Sequence, residues 1–157
     1  MVREQTTDPV LSTKLHRPPV DRNFVHRPHL IARLDQYRDR PLTLVSAPAG
    51  YGKSVLISSW LEACEDPPAW ISLDKSDNDL RTFMTYLVTA VETLFPNVCR
   101  KTQVLLNTPN LPSIAALSTS MLNELDRIEQ PFIMVLDDYY RIKETTVHKL
   151  ITEILKH

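Results

Sequence analysis

The chain has 157 residues, 43% of them hydrophobic and 24% charged, with a formal net charge of −1. That length is enough for one domain with a proper core, and the composition is that of an ordinary globular protein. The small net charge gives no general attraction to DNA, RNA or an anionic membrane, and the longest apolar run, 132–136, is far too short to cross a bilayer.

Residues 1–23, rich in Pro, Arg and Thr, read as an extended arm without regular structure. The first ten residues are polar and lack the apolar segment of a secretory leader. Cys64 and Cys99 follow no metal spacing, so both thiols are expected reduced and the setting cytoplasmic. Leu30, Ile31 and Leu34 predict a short helix over 29–38 that Pro41 stops. LTLVS at 42–46 reads as a buried strand. Val55, Leu56, Ser59, Trp60 and Ala63 then fall along one helical stripe.

AWISL at 69–73 is a second predicted strand. Leu80, Phe83, Met84, Leu87, Val88, Val91 and Leu94 step by three and four, predicting a helix capped by Asp77 or Asn78. Residues 96–112 read as a connection containing Pro and Asn. Ser113 is the expected cap of a helix carrying Ile114, Leu117, Met121, Leu122, Leu125 and Ile128. PFIMVLDD lacks polar alternation, as a strand covered on both faces would. A last helix is expected over 144–156, with Val147, Leu150, Ile151, Ile154 and Leu155 inward. Strands alternating with amphipathic helices predict an α/β fold, a parallel sheet with helices on both faces.

Gly50 and Gly52 are the only glycines in the chain, and both lie in SAPAGYGKSVL. A buried strand, a glycine-bearing turn and Lys53-Ser54 opening a helix describe a phosphate cradle. The glycines would let the backbone approach phosphate oxygens, Lys53 would reach the β- and γ-phosphates, and the Ser54 hydroxyl would ligate Mg²⁺. Ala47 stands where the general G-x-x-x-x-G-K-[ST] pattern has its first glycine. The plain structural alternative is a strand-to-helix turn that merely needs glycine.

A second motif agrees with the cradle. A parallel strand ending at Asp137 puts a carboxylate at the carboxyl edge of the sheet, where α/β ligands bind. Asp137 is the candidate for Mg²⁺, and Asp138 for orienting or deprotonating the attacking water. Two acidic residues that end a strand and cap the next segment are the structural alternative.

KLHRPP, APAGYGKS, WISLDKSDND and VLDDYYRI, in this order and at these intervals, resemble the nucleotide-binding domain of the large ATP-dependent bacterial regulators related to the maltose regulon activator. The resemblance runs from about Thr13 to the end of the chain, and alanine is usual in that family at the position of Ala47. It implies a P-loop ATPase fold over 24–157 and a regulatory switch that hydrolyses ATP slowly. Ala47, Pro48, Ala49, Gly50, Tyr51, Gly52, Lys53, Ser54 and Val55 would surround the phosphates of ATP or ADP. Ser54 and Asp137 would serve Mg²⁺, and Asp138 together with Lys53 would serve hydrolysis. Arg27 aligns with a basic residue upstream of the loop, and the Val25 backbone would lie near adenine. The family commonly has His where Tyr140 stands.

The resemblance also implies a longer parent protein, with a small-molecule inducer and promoter DNA bound by domains that this chain does not contain. In the implied topology the strand after 144–156 lies between the Lys53 strand and the Asp137 strand. Without it, the two motif strands are expected to close up or to leave edges that promote self-association. Two other readings share the phosphate loop: a small-molecule kinase or phosphotransferase, and a remnant without activity. His26 and His29 have ligand-like spacing but no acidic or Cys partner nearby, and read as a surface pair. DKSDND lacks the central Gly and terminal Glu of a calcium loop, and reads as helix capping and a solvated loop; Asp74 ends a strand and is a candidate to face the nucleotide.

Overall fold

Proline and asparagine punctuation and apolar spacing place most of the elements that the computed structural model contains; it describes residues 10–21 and 23–157. The helices are α1 (Pro28–Gln36), α2 (Lys53–Glu62), α3 (Leu80–Leu94), α4 (Arg100–Leu106), α5 (Ile114–Leu125) and α6 (Thr145–Ile154). The strands are β1 (Pro68–Ser72) and β2 (Ile133–Asp137), and 3₁₀ turns occupy Ser12–Leu15, Lys75–Asn78 and Tyr139–Arg141. The chain divides into two compact units, one formed by Arg17–Pro67 and the other by the residues up to His16 together with Pro68–His157.

In the larger unit β1 and β2 run parallel, with Pro68 opposite Ile133 and Ser72 opposite Asp137. These two strands make the whole sheet among the described residues, so the fold is mixed α/β. β1 is buried through its middle, whereas β2, apolar from Ile133 to Leu136, is only half-buried throughout. α3 packs on β1, and the core gathers Ile71, Phe83, Met84, Val88, Leu117, Met121, Val147 and Leu150. Burying each such side chain contributes about 1.5–3 kcal/mol. Asp79 caps α3 by accepting the Thr82 N–H at 2.8 Å, in place of the expected Asp77 or Asn78. Ser113 caps α5 as expected, through Ala116.

Three expectations are corrected. Residues 42–46 form no strand: the run has no regular structure, Leu42 and Leu44 are 62% and 81% exposed, and no strand among the described residues pairs with it. Residues 96–112 are not only connection, since α4 lies within them. The N-terminal arm is not wholly irregular either. Ser12–Leu15 makes a 3₁₀ turn, and Lys14 is buried against Asp77, Asp74 and the Tyr86 ring. Residues 1–9 and 22 of that arm lie outside the described residues.

In the smaller unit, α1 and α2 contact one another, and Leu34, Leu56, Trp60 and Leu61 are buried. The inward face of α2 differs from the predicted stripe: Ala63 is exposed and Ser58 is buried. Ser58 can be buried because its hydroxyl donates to the Pro18 carbonyl, while Arg17 donates to the Ser58 carbonyl at 3.2 Å. Arg38 and Asp66, each just past the C-terminus of its helix, pair at 2.9 Å. No helix among the described residues is long and apolar enough to cross a membrane.

Candidate functional site

Gly50 has φ +81° and Gly52 φ +72°, a region that L side chains adopt only with strain. A Cβ built on either glycine meets no atom within 4 Å, so backbone conformation rather than crowding calls for glycine here. Gly52 is the N-cap of α2, and no side chain caps that end. The Leu56 N–H closes the first helical bond onto the Gly52 carbonyl at 2.9 Å. The positive end of the α2 dipole is thus presented at the glycine turn.

Lys53, the first residue of α2, curls back over the turn. Its ammonium donates to the carbonyl oxygens of Ala47 at 2.8 Å and Pro48 at 3.1 Å. Tyr51 N–H returns to the Pro48 carbonyl at 3.4 Å, with its own ring exposed. Ala49 is exposed, while Ser54 and Val55 are half-buried on the first turn of α2. Arg27, at the N-cap of α1, donates to the Tyr51 carbonyl at 3.2 Å. The upstream basic residue is therefore joined to the main chain of the loop, and Val25 sits exposed just before it. A helix N-terminus, an ammonium and a guanidinium around a left-handed turn form a donor set that could hold a phosphate group.

Asp137 and Asp138 belong to the larger unit, at the carboxyl end of β2. The Leu73 N–H donates to the Asp137 carbonyl at 3.0 Å, extending the β1–β2 ladder by one bond. Asp138 takes φ +57°, a left-handed conformation in a residue other than glycine. Its N–H donates to Asp137 Oδ1 at 3.0 Å, and its carboxylate pairs with Arg141 Nε at 3.4 Å. Tyr139 Oη lies 2.8 Å from His148 Nδ1 on α6, and burial pushes the Tyr139 phenol above its ordinary pKa. Tyr140 is exposed beside the Arg141 guanidinium.

The structure thus brings Arg27 and Lys53 onto one loop, and Asp137, Asp138 and Arg141 onto one turn. The cross-loop bonds of Asn78 had no separate signal in the sequence, because they depend on β1 and β2 being neighbours; the Arg141 pairing is local to the turn. His26 and His29 are both exposed.

No family model matches the chain. Over 148 residues, 94% of its length, the chain is 34% identical to the HTH-type transcriptional regulator MalT of Yersinia enterocolitica. The same values hold for the MalT proteins of Yersinia pestis and Yersinia pseudotuberculosis. The chain spans only 16% of the length of these relatives. It is therefore similar, along nearly all of its own length, to one part of a much longer transcriptional regulator.

Proposed function

We propose that this chain is the ATP- and ADP-binding switch module of a transcriptional regulator, with residues 47–55 holding the nucleotide phosphates. The observation that carries the reading is the loop itself: two left-handed glycines, an α2 end without a side-chain cap, and Lys53 folded over the turn. The similarity to a regulator named for transcription supports a regulatory rather than metabolic use of that loop. In such a module, nucleotide state biases contacts with other parts of a longer protein, and hydrolysis resets it.

Within this reading, Lys53 neutralises phosphate charge and Arg27 braces the loop through Tyr51. Ser54 and Asp137 are each candidate ligands for Mg²⁺, which would screen the phosphate charge. Asp138 would orient or deprotonate water. The Val25 backbone would contact adenine, and an inducer and promoter DNA would engage the remainder of the longer protein.

Calorimetric titration with Mg·ATP and with ADP, alongside Lys53→Ala, tests the reading. Saturable binding that Lys53→Ala weakens on the order of 100-fold is the expected result. A folded wild-type chain that binds neither nucleotide overturns it. ATP turnover compared with Asp138→Asn then tests the hydrolytic role.

A further inference from the structure

In the stretch DKSDND at 74–79, Asp74 and Asp79 each head a helical element, whereas Asn78 heads none. Asp74 heads the 3₁₀ turn by accepting the Ser76 N–H at 2.7 Å, and Asp79 heads α3. Asn78 instead reaches across to the segment that follows β2. Its Nδ2 donates to the Arg141 carbonyl at 3.1 Å and to the Lys75 carbonyl at 3.0 Å. Its Oδ1 accepts the Lys143 N–H at 2.6 Å and the Glu144 N–H at 3.0 Å. Both donor hydrogens and both lone pairs of the carboxamide are used, a combination that a carboxylate or a hydroxyl does not offer.

The segment so held is the far side of the turn that carries Asp138. A non-glycine residue in the left-handed region costs about 1–3 kcal/mol and persists only where its surroundings over-determine it. Within the turn, Arg141 N–H donates to the Asp138 carbonyl at 2.9 Å, Ile142 N–H donates to Tyr139, and the Ile142 side chain is buried. Beyond these local bonds, the buried Ile142 side chain and Tyr139, packed on the core and bonded to His148, tie the turn to the protein. Asn78 adds a three-bond link from the loop after β1, the strand next to β2, and its fourth bond, to Lys75, fixes the carboxamide on its own loop.

We infer that Asn78 is a positioning residue for Asp138, fixing the 141–144 main chain so that the Asp138 carboxylate is held in its left-handed pose at the carboxyl edge of the sheet. The inference rests on the reading of Asp138 as the carboxylate that handles water.

The test uses Asn78→Ala and Asn78→Asp in the isotopically labelled chain, with wild type and Asp138→Asn as references. The Asp variant keeps acceptors for Lys143 and Glu144 but has no donor for Arg141 or Lys75. NMR chemical shifts of Asp138 and amide exchange at Lys143 and Glu144 report the turn; ADP affinity and ATP turnover report the site. Asn78→Ala is expected to lose the left-handed Asp138 shifts and to speed exchange at both amides about tenfold or more. Turnover should fall roughly 10- to 100-fold, with ADP affinity within about twofold of wild type. Asn78→Asp should recover the amide protection and part of the turnover. Unchanged Asp138 shifts and amide exchange in Asn78→Ala overturn the inference, as does a parallel loss of turnover and ADP affinity, which marks general unfolding. Equal turnover by wild type and Asp138→Asn overturns the hydrolytic reading instead, and is distinguishable because the shifts and exchange do not depend on turnover.

Discussion

The Lys53 ammonium lies 2.8 Å from the Ala47 carbonyl oxygen, so the cation of the glycine loop is satisfied by the main chain of the same loop. Any anionic ligand there must offer Lys53 better acceptors than two neutral carbonyls, which phosphate oxygens do. The turn that makes this contact rests on glycine. Gly52→Ala places a Cβ in open space but on a residue at φ +72°, so the cost is conformational and about 1–2 kcal/mol. Thermal unfolding should shift down by several degrees. An unchanged melting temperature would show that the turn relaxes to negative φ without loss.

Lys14 and Asp77 form an ion pair whose side chains are 8% and 0% exposed. Asp77 also accepts the Asp74 N–H, while its Oδ1 has no partner. Lys14→Met should therefore destabilise the larger unit by about 3–5 kcal/mol, because a carboxylate is left buried without its cation. Lys14→Met/Asp77→Asn should regain a good part of that loss. Urea unfolding of the single and double variants measures the coupling; equal stability of Lys14→Met and wild type would deny any anchoring of the 10–16 segment.

Burial pushes the Cys99 thiol up to about 12, with Glu124 and Glu92 adding to the effect, from an ordinary value of 9.0. The folded state keeps this proton when the unfolded state has lost it. Stability from this group is thus fully present below pH 9.0 and declines as pH rises from there towards 12. Chemical unfolding along that pH range should show the decline, and Cys99→Ala should flatten it. At neutral pH a disulfide reagent should label Cys64, which is half-buried, and reach the buried Cys99 only after unfolding. Labelling of both thiols at one rate in the native protein would contradict the packing around Cys99.

Helices α3, α5 and α6 were legible because their apolar residues recur with helical period and face one core. The glycine loop was legible because Gly50 and Gly52 stand alone in the chain. α4 was not, since its start depends on distant carboxylates: Glu124 accepts the N–H groups of Lys101 and Thr102 at 2.7 and 3.1 Å, and Glu92 accepts that of Cys99 at 3.2 Å. The spacing of buried Cys99, Thr102 and Leu106 was the one local signal. The error at 42–46 has the opposite cause. LTLVS has strand propensity, but a strand exists only with a partner, and propensity says nothing of whether a partner is present.

That unpaired segment leads to the last expectation. Leu42 and Leu44 are large apolar side chains exposed on a run without regular structure, and among the described residues β2 is an apolar strand paired with β1 alone. Exposed apolar segments and open strand edges pair readily with other chains. The isolated chain should therefore associate with itself as its concentration rises. Leu44→Lys should weaken this without unfolding the protein, because Leu44 at 81% exposure has little packing to lose. Sedimentation velocity over about two orders of magnitude in concentration reads the effect, with circular dichroism confirming the fold of the variant. A wild-type chain that stays monomeric throughout would mean that 42–46 is shielded in solution. In that case Leu44→Lys should lower stability rather than association, and the two results separate an open segment from a covered one.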